Sequence, residues 1–126
     1  MNMKKISTNQ APAAIGPYSQ AVIAGDFLYA SGQIPINPET GNVDAVGITQ
    51  QATQSIKNVG AILKEAGVSY DSVVKTTCFL ADIADFAAFN EVYAQYFTQK
   101  PARSCVAVKD LPKGVLCEVE VTAYLK

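Results

Sequence analysis

The sequence predicts an α+β domain, a mixed sheet with two helices on one face, in the order β-β-β-α-β-α-β-β. Three observations predict it. Short segments rich in β-branched and aromatic residues alternate apolar and polar positions. Two longer windows carry apolar residues at helical spacing instead. Apart from Gly60, glycines and prolines fall between these segments rather than inside them, and no repeat, low-complexity tract or charge run interrupts the 126 residues. A chain of this length with 49% apolar residues is expected to form one domain spanning residues 1–126, with a single core.

A short opening strand is expected over Lys4–Thr8, followed by an ordered loop at Asn9–Pro17, where two prolines and a glycine fix the chain. Ser19–Ala24 and Phe27–Ser31 read as a hairpin turning at Gly25-Asp26, and Gly32 ends its second strand. Pro35–Asn42 is a turn-rich connection. From Gly47, Ile48, Ala52, Ile56, Val59, Leu63 and Ala66 fall on one helical face, and Gly67 is the natural stop. Val73–Ala81 has strand composition. Asp82 can cap a second helix that turns Phe86, Phe89, Tyr93, Tyr96 and Phe97 toward the core. Ser104–Val108 and Val115–Tyr124 close the fold around the turn Leu111–Gly114. With both helices on one face, the other face of the sheet needs cover, and self-association supplies it most simply.

Composition narrows the chemistry. Histidine is absent, which removes the commonest general base and argues against a zinc site or a serine-histidine triad. Cys78, Cys105 and Cys117 form no CxxC pair and are expected as free thiols in a reducing compartment. Ten basic against eleven acidic residues gives none of the positive excess that drives nucleic-acid binding. No apolar run reaches the roughly 18 residues of a membrane span. A cytoplasmic protein without a membrane or nucleic-acid partner, and without metal or cofactor, is the expectation.

Arg103 is the only arginine, placed after Pro101-Ala102 at the entry to a strand. Its planar fork suits two parallel hydrogen bonds to a carboxylate, although position alone favours an ordinary surface or ion-pairing arginine. In Leu116–Val121, alternation puts Glu118 and Glu120 on one face and Cys117, Val119 and Val121 on the other. Two solvated carboxylates, or a proton-handling group lining a cleft, both satisfy that pattern. Tyr18, after Gly16-Pro17, and Ser31-Gly32, at a strand end, are polar groups of the kind that collect at binding loops.

Taken together these residues are more specific. Ala14-Ile15-Gly16-Pro17-Tyr18-Ser19-Gln20, Ser31-Gly32-Gln33-Ile34-Pro35 and Pro101-Ala102-Arg103-Ser104-Cys105-Val106 resemble, in order, the signature blocks of the RidA (YjgF, L-PSP endoribonuclease-like) family. Asn37–Gly41, Gln54–Val59 and Val74–Thr77 are similar to the same family, so the resemblance spans nearly the whole chain.

The resemblance implies a chorismate-mutase-like fold, a homotrimer with sites in the clefts between subunits, and hydrolysis of 2-imino acids or their enamine tautomers (2-aminoacrylate, 2-iminobutanoate) to 2-oxo acids and ammonia. It assigns the substrate carboxylate to Arg103 and the attacking water to Glu118, with Tyr18, Ser31, Gly32, Asn90 and Cys105 lining the pocket. No cofactor is implied. Positioning, charge neutralisation and a proton relay suffice, because an iminium carbon is already electrophilic. Two departures stand out: only Thr98-Gln99-Lys100 separates Phe97 from Pro101, fewer residues than many members carry, and Cys117 replaces the usual aliphatic residue. Three readings remain open beside deamination: an endoribonuclease or translation inhibitor, a non-catalytic binder of small carboxylates, and a ligand-independent chaperone-like trimer.

Overall fold

The computed structural model describes residues 3–126. Six strands form one sheet: β1 (Met3–Ile6), β2 (Ala21–Ala24), β3 (Phe27–Ala30), β4 (Val73–Leu80), β5 (Ala102–Ala107) and β6 (Cys117–Tyr124). Two helices, α1 (Gly47–Glu65) and α2 (Phe86–Tyr96), complete the expected α+β order. Across the sheet the strands run β1-β2-β3-β6-β4-β5, antiparallel except for the parallel pair β4 and β5. That pair requires a crossover, which α2 provides.

Element boundaries follow local chemistry. α1 ends as Gly67 predicts, in the left-handed conformation with φ +82°. The Gly67 N–H bonds to the Lys64 carbonyl at 2.9 Å and the Val68 N–H to that of Leu63 at 3.0 Å, the paired bonds of a Schellman motif. At its start no side chain of the capping residue, Val46, takes part; Gln50 Oε1 instead accepts from the Val46 N–H at 2.9 Å. Asp82 does cap, but through a single 3-10 turn (Ile83–Asp85) that leads into α2: its Oδ1 accepts from the Ala84 N–H at 2.9 Å. β5 begins two residues earlier than the sequence suggests, so Arg103 lies within the strand.

Strand alternation sends Ile6, Leu28, Val73, Leu80, Cys117, Val119 and Val121 into the core beneath both helices. α1 contributes Ala52, Ile56, Val59, Ile62 and Leu63, and α2 contributes Phe89, Val92 and Tyr93. Burying each large apolar side chain stabilises the fold by about 1.5–3 kcal/mol. Phe86, expected in the core, is 37% exposed, its ring lying 5.5 Å from the guanidinium carbon of Arg103 instead.

Two buried polar residues, Gln20 and Asn58, act as braces. Gln20, buried, accepts from the Thr8 N–H at 2.7 Å and donates to the carbonyl of Pro12 at 2.7 Å, tying the long N-terminal loop to β2. Asn58 likewise donates from α1 to the carbonyls of Ile34 and Ile36, at 3.2 and 2.9 Å. The opposite face of the sheet carries no helix, and exposes Tyr29, Val106 and Tyr124 among its residues. No helix among the described residues is long and apolar enough to cross a membrane.

Candidate functional site

The sequence-predicted residues gather into two groups. Arg103 pairs with Thr76, and Thr76 with Val121, so all three project toward the helices. Glu118 pairs with Phe79, three residues along β4 from Thr76, which places it on the helix-free face. Within one chain the guanidinium and the carboxylate are thus on opposite sides of the sheet.

On the helix side, Arg103 Nη1 donates to Asn90 Oδ1 of α2 at 2.7 Å. The guanidinium carbon lies 4.7 Å from the ring centroid of Tyr93 and 5.5 Å from that of Phe86, a pair of cation–π contacts. Among the described residues the one ion pair joins Lys126 to Asp26, so Arg103 is a half-buried cation with no carboxylate partner. An open cleft of about 350 Å³ runs beside it, lined by Asn90, Tyr93, Phe97, Lys100 and Pro101. Cys105, two residues on along β5, shares this face. Burial pushes its thiol above the ordinary range, and the positive charge of Arg103 offsets only part of that. The thiol is therefore protonated at neutral pH and a poor nucleophile.

On the helix-free side, Gln33 and Val119 exchange backbone hydrogen bonds of 2.8 and 3.1 Å. This bridge sets Gly32 against Glu118, whose carboxyl group fills the space a side chain at Gly32 would occupy. Ser31 is fixed at the same corner: its N–H donates to the Gln20 carbonyl at 2.9 Å and its hydroxyl to that of Ser19 at 2.7 Å. The Ser31 oxygen is left as an acceptor. Tyr18 is 54% exposed and shares a small cavity of about 60 Å³ with Gly32, Gln20 and Gln33. Burial raises the pKa of Glu118, and the neighbouring charge of Glu120 raises it further.

Chemically, the first group can hold an anion and the second can hold a water and exchange protons with it. Phe86 and Tyr93, which form the aromatic shelf under Arg103, are the participants that the sequence reading missed as site residues. Their helical spacing was visible, but it reads equally as core packing.

A small α+β domain that offers an unpaired arginine on one face of its sheet and a partly buried carboxylate on the other is the class the geometry defines. The chain belongs to the Endoribonuclease L-PSP family, whose pattern matches residues 8–125, the family that its signature blocks resemble. It is 51% identical over 128 residues to a RutC family protein of Synechocystis sp., covering 99% of this chain and 98% of that one. It is 50% identical over 124 residues to the 2-iminobutanoate/2-iminopropanoate deaminase of Escherichia coli K12, covering 95% and 96%. The crystal structure of E. coli TdcF with bound serine superposes with a TM-score of 0.93 at 45% identity, covering 98% of this chain and 99% of the other.

Proposed function

We propose that this protein hydrolyses 2-imino acids and their enamine tautomers to 2-oxo acids and ammonia. The observation that carries the reading is Arg103, a half-buried guanidinium held by Asn90 and two aromatic rings, with no carboxylate of the chain's own among the described residues. A site built this way accepts a carboxylate from outside, and its planar fork binds both oxygens at once. Relatives named as imine deaminases at about half identity support the same reaction, as does a neighbour crystallised with an amino acid.

In this mechanism the substrate carboxylate rests on Arg103 and the imine carbon is presented to water. Glu118 accepts a proton from that water as its oxygen bonds to the carbon. Glu118 returns that proton to the nitrogen of the resulting carbinolamine, and as the C–N bond breaks the hydroxyl proton passes back to Glu118 and the C=O bond forms, releasing ammonia and leaving the 2-oxo acid. Tyr18, Ser31 and Gly32 wall the water side, and Cys105 lines the anion side.

Arg103 and Glu118 face away from each other in one chain, so a substrate touching both must lie between two copies. This reading makes the active form a homotrimer, with three equivalent clefts that pair Arg103 of one subunit with Glu118 of the next. The helix-free sheet face, with Tyr29, Val106 and Tyr124 exposed, is the surface that such an assembly covers. A cytoplasmic site of action fits three free cysteines.

The test couples a serine or threonine dehydratase, which generates the imine in situ, to detection of 2-oxo acid. Wild-type protein is expected to accelerate release and Arg103→Ala to abolish the effect. Failure of a folded wild type to accelerate release would remove the deaminase reading in favour of carboxylate binding or ribonuclease activity.

A further inference from the structure

Thr76 does not line the anion cleft, yet a hydrogen bond links it to the ring on which Arg103 rests. Thr76 lies in the middle of β4 with no solvent exposure. Its hydroxyl meets the phenol oxygen of Tyr93 at 2.7 Å, a bond between sheet and helix inside an apolar core. The same tyrosine ring supports the guanidinium of Arg103 on its face, 4.7 Å away, and packs against Phe97 at 4.5 Å and Phe89 at 6.0 Å. Packing alone leaves a ring free to tilt and slide within its slot, whereas a hydrogen bond at its far end fixes it. Burial holds the phenol protonated. Asn90 accepts from one edge of the guanidinium, through Nη1, and the other nitrogens have no hydrogen-bond partner among the described residues.

We propose that Thr76 and Tyr93 are positioning residues for substrate binding: the Thr76–Tyr93 hydrogen bond sets the ring that orients Arg103 for the carboxylate. This rests on the carboxylate-binding role proposed for Arg103. A hydroxyl pair in the core has a purely structural alternative, because removing one partner strands the other at a cost to stability. The two roles separate in a double variant. Tyr93→Phe keeps the ring and loses the bond, stranding the Thr76 hydroxyl; adding Thr76→Val removes that stranded group and restores the apolar fit.

The experiment measures three quantities in wild type, Tyr93→Phe and Tyr93→Phe/Thr76→Val: thermal stability, KM and kcat for imine hydrolysis, and pyruvate affinity by calorimetry. Positioning predicts that Tyr93→Phe raises KM and weakens pyruvate binding by about fivefold, the scale of one hydrogen bond, with kcat little changed. The double variant should regain melting temperature while KM and pyruvate affinity stay impaired. Recovery of KM together with stability would overturn the proposal, as would an unchanged KM in Tyr93→Phe. Should wild type bind pyruvate without hydrolysing imines, the deaminase reading falls, and the pyruvate affinities of the variants still decide whether the Tyr93 bond positions Arg103. A wild type that neither binds pyruvate nor hydrolyses imines would overturn both.

Discussion

The carboxyl group of Glu118 lies directly over the Cα of Gly32, in the space that any larger residue at position 32 would need. Gly32 has an ordinary backbone conformation, so its requirement for glycine comes from this contact and not from strain. Because the obstructing atoms are the far end of a flexible side chain, Gly32→Ala should fold, displacing Glu118. The expected outcome is a melting temperature within a few degrees of wild type and a loss of imine hydrolysis of about tenfold or more, from the cost of a misplaced group. Wild-type turnover in Gly32→Ala would deny Glu118 its role.

Asn90 is the sole hydrogen-bond partner of the Arg103 guanidinium among the described residues. A bond from a charged donor is worth about 1.5–3 kcal/mol. Asn90→Ala should therefore raise KM for imine hydrolysis by about tenfold or more, with a smaller effect on kcat. Steady-state kinetics in the coupled assay provide the check, and an unchanged KM would detach Asn90 from the arginine's function.

In the proposed mechanism Glu118 serves as a base only when ionised, and its pKa is raised by burial and then by Glu120. Activity should consequently fall as pH drops through a value above the usual carboxylate range, because protonation removes the base. Glu118→Gln should lose most of the rate together with this acid limb, while still binding pyruvate. A pH–rate profile with the same limb in Glu118→Gln would assign the titration to another group.

Gly60, in the middle of α1, has the phenol of Tyr70 pressed against it, and that hydroxyl donates to the Ile56 carbonyl at 2.8 Å. Glycine to alanine ordinarily stabilises a helix by about 1 kcal/mol. Here the added methyl must displace Tyr70 from its hydrogen bond and from its packing on Tyr96 and Phe97. Gly60→Ala should therefore destabilise by about 1–3 kcal/mol, the usual cost of overpacking. Urea denaturation measures it, and a stabilised variant would show that Tyr70 moves aside freely.

Most of the architecture was legible because it is local. The period of α1 and the Gly67 stop, the Gly25-Asp26 hairpin turn and the alternation of Glu118 and Glu120 against Cys117, Val119 and Val121 each depend on a few neighbouring residues. The candidate residues of the site were legible through motif order. What the sequence could not show was their grouping, since the face that Arg103 occupies relative to Glu118 depends on the registers Thr76 with Arg103 and Phe79 with Glu118. Those pairings join segments distant in the chain and leave no local mark. Tyr93 was overlooked for a related reason: an aromatic residue serving both the core and the site has the periodicity of the core.

The position of β6 in the sheet has a consequence for synthesis on the ribosome. Among the described residues β6, the final strand in chain order, is inserted between β3 and β4, and within the sheet it joins the β1-β2-β3 layer to the β4-α2-β5 crossover. Until its final residues clear the exit tunnel, the nascent chain holds two half-sheets, each with an open edge where β6 belongs. Closure of the sheet must therefore wait for β6 to emerge, and a stop codon before Cys117 would release an aggregation-prone fragment rather than a weakened protein.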